Sequence, residues 1–498
     1  MSQTESKRAA PHRRQRKRSR YPYTRKEKWI VGWACAQLSL ALWMLALTPL
    51  WAQWLMMGMS FIGLTFSLLP QFYAPESQRD PRLHSRPSLD RLLRYPVFWM
   101  GALLLSYMLV QAVNPAYGYE SDADYWRAFP IPSISWLPSG VDSPFAKMNA
   151  QRLALIVAGA WAMQCYLKVG IVRRPSFLFL LWWITLNFVA MGVLAIAQKQ
   201  TDAMDVYWSL SISPNFWGPI PYNHRAGCLL IMGMVCAMAL YFLHLKAMRM
   251  ELRHSGPHLV VLIAIVFIFG LLWSTQSEAT VILGSLLMAV FLLLTLIPSL
   301  RDGSTLMHKV ILSVTMILLG VMAVFYTLRL PDRNLTIEQL GNLREEIQNI
   351  DSSARAIATR ITLQMVAERP FLGWGAGSWR YVFAYYQLEH PEIQYLDATQ
   401  TVPAVWDDAH NDWVQYLSEL GIAGMVLLLG LLLWPLIESI IFIRSLHLTQ
   451  VMLALGLIAV FTHAFLELLL QNQAVLSYVA FLSFLINRLN VEQVRVKH

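Results

Sequence analysis

Apolar runs close to the roughly 20 residues needed to cross a hydrocarbon layer recur along almost the whole chain, and no other feature narrows the fold as much. They fall at about 29–48, 51–70, 95–113, 150–171, 175–197, 226–245, 258–274, 279–298, 309–328, 413–443, 449–470 and 474–488. A composition of 56% hydrophobic and 14% charged residues over 498 positions agrees with them. The expectation is an all-α polytopic membrane protein of about twelve transmembrane helices.

Arginine and lysine in the short connections orient these spans. Arg79, Arg82, Arg86, Arg91 and Arg94 lie in 71–94, Arg173 and Arg174 in 172–174, Lys246, Arg249 and Arg253 in 245–258, and Arg301 and Lys309 in 300–309. In a twelve-span chain all of these share one side, which the positive-inside rule makes cytoplasmic together with both termini. The alternate connections are then external: 114–149, 198–225, a tight turn near 274–278, a long 329–412 and a short turn near 471–473. The expected organisation is a basic tail (1–28), nine spans (29–328), a large and mostly helical external loop (329–412), three spans (413–488) and a cytoplasmic C-terminal tail (489–498).

A formal charge of +10 suggests nucleic acid only until it is divided along the chain. Residues 1–28 hold 11 of 40 Lys+Arg and 2 of 30 Asp+Glu, leaving 29 against 28 elsewhere. "KRAAPHRRQRKRSRYPYTRKEK" has no apolar period and precedes a span. It reads as a disordered arm on anionic headgroups of the bilayer, not as a nucleic-acid site. The first span is too long, and too closely followed by a second, for a cleaved signal peptide. Cys35, Cys165, Cys228 and Cys236 all fall within spans and form neither a zinc pattern nor a disulfide framework.

Within 329–412, "TIEQLGNLREEIQNIDSSARAIATRITLQMVAERP" reads as mostly helical up to Pro370, and "FLGWGAGSW" supplies glycines for a tight bend. The basic residues are Arg329, Arg333, Arg344, Arg355, Arg360, Arg369 and Arg380, with no lysine. Guanidinium is the group suited to bidentate recognition of phosphate. Pairing with the loop's twelve acids as a solvated surface is the plainer reading for any one of them.

The loop re-enters the membrane through "DDAHNDWVQYLSELGIAG", residues 407–424. Continued as a helix at 100° per residue, His410 shares a stripe with Trp413, Val414, Leu417, Gly421 and Gly424, while Glu419 lies about 180° away. A histidine flanked by Asp407, Asp408 and Asp412 at a membrane surface is a candidate general base with its tautomer set by a carboxylate. A helix start in which Asp407, Asp408 or Asn411 caps free amides is the structural alternative.

The spacing His410–Asn411, nine residues, Gly421, two residues, Gly424 resembles the signature of the O-antigen ligase and polymerase superfamily of bacterial membrane glycosyltransferases. "ERPFLGWGAGSW" is similar to that family's Pro-Leu-Leu-Gly-x-Gly-x-Gly stretch in its large periplasmic loop. "GPIPYNHRAG" resembles its Gly-Pro-x-x-x-Asn-x-x-Ala entry to a span, and "HAFLELLLQNQA" its His-Ser-x-x-Asp-x-x-x-x-x-Pro-Ala region. The four stretches cover roughly residues 210–490 in the family's order. Two positions depart from it: Glu278 and Tyr222 stand where many relatives carry arginine.

The resemblance implies a multi-pass protein of the bacterial inner membrane that moves a polyprenyl-pyrophosphate-linked glycan to an acceptor hydroxyl on the periplasmic side. Lipid A core, a growing glycan and a protein hydroxyl remain open as the acceptor. Such a donor arrives activated, so a base and stabilisation of the departing diphosphate suffice, with no cofactor and no metal. The implied roles are base for His410, substrate binding for Asn223, Asn411, Arg225, Arg355 and Arg360, and a candidate contribution from Glu278. His463 and Glu467, four residues apart on one expected helix face, form a second histidine–carboxylate candidate. Asp122-x-Asp124 has the spacing of a divalent metal site, but a solvated loop explains it as well. A transporter or lipid flippase is the alternative from another class, and it would place ionisable groups near the bilayer midplane.

Overall fold

The computed structural model describes residues 25–69, 88–121, 126–172, 174–211, 215–251, 256–301, 354–394, 406–441 and 447–497. The span expected at 309–328, the basic tail up to residue 24, Arg79, Arg82, Arg86, Arg329, Arg333, Arg344 and the pair Asp122 and Asp124 lie outside the described residues.

Each of the other expected spans overlaps a helix. In chain order these are α1 (Arg25–Trp43), α2 (Leu50–Leu68), a short α3 (Ser88–Leu93), α4 (Pro96–Val113), α5 (Pro144–Gly170), α6 (Arg174–Gln200), α7 (Asn223–Glu251), α8 (His258–Ser274) and α9 (Glu278–Arg301). After them come α10 (Ala354–Glu368) and α11 (Trp379–Gln387) of the large loop, then α12 (Asp412–Ile441), α13 (Leu448–His463) and α14 (Gln473–Lys497). Among the described residues six helices, α4, α5, α6, α7, α9 and α12, are long and apolar enough to cross a membrane. In hydrocarbon a backbone can satisfy its polar groups only within itself, which is why such runs become helices.

Apolar residues on every face of α7 predict burial on every face. Residues 226–243 of α7 are indeed all buried, whereas α4 is only 28% buried. α7 is therefore central, and the residues at its first turn sit in the middle of one end of the bundle.

Two expectations are corrected. The all-α expectation meets a small sheet in the 114–149 connection, where β1 (Pro115–Ser121) pairs antiparallel with β2 (Trp126–Pro130) and parallel with β3 (Gly140–Asp142) before α5 begins at Pro144. The span expected over 449–470 stops at His463, and 464–472 is a non-helical turn.

The loop helices form a second core of Ile357, Ile361, Met365, Trp374, Trp379 and Phe383 with Val141 of β3. Arg369 ties this lobe to the sheet. Its guanidinium lies over the rings of Tyr117 (4.5 Å) and Trp374 (4.6 Å) and donates to Tyr117 Oη at 2.6 Å and Ser139 Oγ at 3.1 Å.

The lobe is locked to the bundle by a break in α12. Gly421 leaves the helix with φ 64° and ψ −176°, a conformation open to glycine and few other residues. The carbonyls before the break and the amides after it lose helical partners, and the glycine bend replaces them. Trp374 and Gly375 N–H donate to Ser418 and Glu419 O at 2.9 Å each, and Ile422 and Ala423 N–H donate to Pro370 O (2.8 Å) and Phe371 O (3.1 Å). From α4, Tyr107 Oη donates to Leu372 O and Leu420 O, and Gln111 Nε2 to Leu372 O and Glu419 O. A Cβ on Gly373 would stand 2.4 Å from Glu419 O, so the two backbones meet only because that position is glycine.

Candidate active site

Residues 406–412 are shaped by their own side chains. Asp408 Oδ1 accepts the N–H of His410 at 3.1 Å, and His410 takes a left-handed φ of 49°. Asn411 Oδ1 accepts the N–H of Val414 at 3.2 Å, the N-cap arrangement that starts α12 at Asp412. His410 thus precedes the helix. The continuous stripe expected from His410 through Trp413, Val414, Leu417, Gly421 and Gly424 does not exist, because a left-handed residue and a helix break bound it at either end.

Asp412 is buried and structural. Its Oδ2 accepts the N–H groups of Leu469 and Leu470 at 2.7 Å each, and its own N–H donates to Ala464 O at 2.9 Å. These bonds pin the 464–472 turn against the start of α12 and bring Glu467 to His410.

Glu467 is the hub of the cluster. Its Oε2 lies 3.6 Å from His410 Nδ1, and its Oε1 lies 3.4 Å from Arg355 Nη2 and 3.7 Å from His224 Nε2. His224 Nδ1 is 3.0 Å from Ser277 Oγ in the α8–α9 turn. α13 ends at His463, so Glu467 follows the helix instead of lying within it, while its N–H still donates to His463 O at 3.2 Å and its carboxylate acts electrostatically on the His463 ring. His463 is buried, and among the described residues neither of its ring nitrogens has a hydrogen-bond partner.

Electrostatics follow from this geometry. The Glu467 carboxylate raises the pKa of His410 above the ordinary histidine value, against burial, and Asp408 adds to the rise. Burial alone would raise Glu467, but His410, His224 and Arg355 more than offset it and hold the carboxyl below its usual range. Asp408 Oδ1, at 3.7 Å, and Glu467 both face Nδ1 of His410. That favours the proton on Nδ1 and leaves the Nε2 lone pair to accept another.

Beside this cluster is a cavity of about 190 Å³ lined by Arg152 of α5, Arg225 of α7, Arg380 of α11, Asp407, Asp408 and Glu419, among others. Arg225 stacks on the Tyr222 ring at 4.6 Å, and Arg380 pairs with Asp407 at 2.5 Å. Glu419 accepts the N–H of Trp379 at 3.2 Å, closing the start of α11.

The sequence candidates separate accordingly. His410, Glu467 and Arg355 come together. Asn223, whose Oδ1 accepts the His224 N–H at 2.9 Å, opens α7 beside them, and the exposed Glu278 acts electrostatically on His224. Asn411 serves as a cap. Arg360 is exposed on α10 and bears on Glu392, so Arg355 is the α10 arginine that reaches Glu467. His224 and Arg152 escaped sequence reasoning. A histidine between Asn223 and Arg225, and an arginine within the first turns of an apolar span, were the signals available. The four cysteines are buried and unpaired, and among the described residues no group of three His, Cys, Asp or Glu could hold a metal ion.

Residues 259–429 match the family described as O-antigen ligase. The match bears out the resemblance carried by the glycine bend and the His410–Gly424 spacing. It takes in α8 to α11, His410 and the broken part of α12, but not α7 or Glu467. No curated protein matches the chain.

Proposed function

We propose that the protein transfers a glycan from a polyprenyl pyrophosphate to an acceptor hydroxyl on the periplasmic face of the bacterial inner membrane, in the manner of an O-antigen ligase. The observation that carries the reading is the His410–Glu467–Arg355–His224 cluster at the ends of apolar helices, with an arginine-lined cavity next to it. In the transfer, the acceptor oxygen bonds to the anomeric carbon as that carbon's bond to the diphosphate oxygen breaks. The electron pair leaves with the diphosphate, and the hydroxyl proton passes to His410 Nε2. Glu467 holds the resulting imidazolium through Nδ1, the role a carboxylate plays behind any catalytic histidine. Arg225 and Arg355 are the charges at hand for the leaving group.

A periplasmic site has no nucleotide sugars to draw on, which supports a lipid-linked donor. The twelve-span topology with cytoplasmic termini belongs to the same reading. A transporter would concentrate ionisable groups midway along its spans, whereas this cluster sits at helix ends. The test is transfer from a purified polyprenyl-pyrophosphate glycan to lipid A core, glycan and protein acceptors by the wild type and by His410→Ala. Absence of transfer to all three by folded wild-type protein would sink the reading; the acceptor that works names the reaction.

A further inference from the structure

Between Arg127 and Asp142 the chain carries no charged residue, and three of the positions from Ala128 to Val141 are proline. Connections exposed to water are usually rich in charge, yet residues 132–136 are all exposed, Trp136 to 76%. The stretch is firmly held. Asn114, the residue after α4, donates through Nδ2 to Ile134 O at 3.1 Å and Pro138 O at 3.2 Å, and its Oδ1 accepts the Ile134 N–H at 3.0 Å. The Leu137 N–H donates to Ile134 O at 3.1 Å, a turn that puts Trp136 at its tip.

The helix that holds this turn indicates what covers it. Trp99, Leu103, Leu109 and Val113 are exposed along one face of α4. On that face Ser106 gives its hydroxyl to Ala102 O at 2.8 Å, so the stripe offers no unmet polar group. An exposed apolar stripe on a helix able to cross a membrane suits lipid. It spans about 21 Å from Trp99 to Val113 at 1.5 Å per residue, and Trp136 is fastened just beyond its far end. Phe371, 69% exposed, belongs to the same end, because its neighbour Leu372 accepts hydrogen bonds from Tyr107 and Gln111 of α4.

We infer that the 131–138 turn is a membrane anchor: Trp136 and Phe371 rest among the phospholipid headgroups at this end of α4 and fix the depth of the loop lobe. An indole, apolar in body with a single N–H donor, gains most where hydrocarbon meets headgroups. A stretch without charge enters that layer without losing the hydration of an ion. The anchor is coupled to the lobe through its own continuation. Ser139 Oγ accepts from Arg369 Nη1 at 3.1 Å, and a Cβ on Gly375 would stand 2.4 Å from Gly140 Cα. The glycine bend that locks the lobe to α12 thus lies against the end of the turn, so a fixed depth for Trp136 is a fixed depth for the His410 junction. The inference rests on the proposed function for the side of the membrane, the external leaflet, and for the donor used in its activity test.

The experiment places an environment-sensitive fluorophore on Trp136→Cys and, as a control in water, on Glu389→Cys, exposed just beyond α11. The four native cysteines are buried, and wild type treated alike gives the background. In proteoliposomes carrying nitroxide lipids, the probe at 136 should emit to the blue of the probe at 389 and lose most fluorescence to a nitroxide near the headgroups. The probe at 389 should be quenched at no depth. Equal emission and quenching at the two positions overturns the anchor. A blue shift at 136 that follows protein concentration and ignores the nitroxides assigns the turn to a second copy of the chain and overturns it as well. Trp136→Ser combined with Phe371→Ser, checked by a thermal melt, should raise the KM for the polyprenyl-linked donor about three- to tenfold in bilayers, with transfer in detergent unchanged. Trp136→Tyr should stay near wild type. An unchanged KM in bilayers would overturn the depth-setting role. Quenching at 136 in a protein that transfers no glycan supports the anchor and sinks the reaction. Quenching at 136 while an impermeant maleimide fails to reach Glu389→Cys in spheroplasts supports the anchor and overturns the topology.

Discussion

The two polar clusters at this end of the bundle lie side by side but differ in what their groups lack. Around His410 opposite charges stand close together: Glu467 gathers two histidines and Arg355 at 3.4–3.7 Å, while His410 Nδ1 makes no hydrogen bond among the described residues. In the neighbouring cavity the carboxylates have partners and the donors Arg152 and Gln471 do not. In the proposed reaction the first would take up the proton and the second would face the departing anion. Reactions that expel a charged leaving group need both, and keeping them separate lets each be tuned without disturbing the other.

The largest effect that would test this division is His410→Ala. Turnover should fall by about 10²–10⁴ with donor binding retained, because only the proton acceptor is lost. Turnover close to wild type in folded protein would place the base elsewhere. Gly373→Val should damage both clusters at once, since its Cβ would collide with Glu419 O and unlock the lobe from α12. Lowered thermal stability together with loss of pyrophosphate binding and transfer is the expected pattern; a variant that melts and works normally would show the lock to be dispensable.

Glu467→Gln sharpens the comparison by touching one side alone. His410 must be neutral to act as a base, so kcat/KM should rise with pH through its elevated pKa. Removing the carboxylate that elevates it should move this acidic limb to lower pH and reduce maximal turnover by about tenfold. An unmoved limb would mean that another group titrates. Arg360→Ala, on the exposed face of α10, should change transfer by less than about twofold, against a clear loss for Arg355→Ala. The smallest expected effect is that of EDTA, which should leave transfer unchanged under the proposal that arginines meet the diphosphate charge. Loss of activity restored by magnesium would bring Asp122 and Asp124 forward as metal ligands.

The helices, the bend and the position of His410 were legible because each is written in contiguous residues. Apolar run length marks α4 to α9 and α12, glycine spacing marks 373–377, and the Asp408–Asn411 polar cluster marks the start of a helix. The same local logic misled at two places. Extending a regular helix through His410 ignored the competition of Asp408 and Asn411 side chains for the backbone amides. Extending α13 through Glu467 ignored Asp412, whose carboxylate takes the amides of Leu469 and Leu470 and unwinds the helix end.

What the sequence by itself determined is a membrane-embedded helical bundle with a helical lobe and a histidine at their junction, since burial in hydrocarbon requires only that each segment satisfy its own backbone. Which charges meet at that junction was decided by the tertiary structure alone. Glu467 stands 57 positions from His410 in the chain, and Arg152, Arg225 and Arg380 belong to three different elements. Helical periodicity specifies which residues share a face of one helix. It carries no information on how far one helix slides or turns against its neighbours, and that register comes from packing and from bonds such as those between Asp412 and the 464–472 turn.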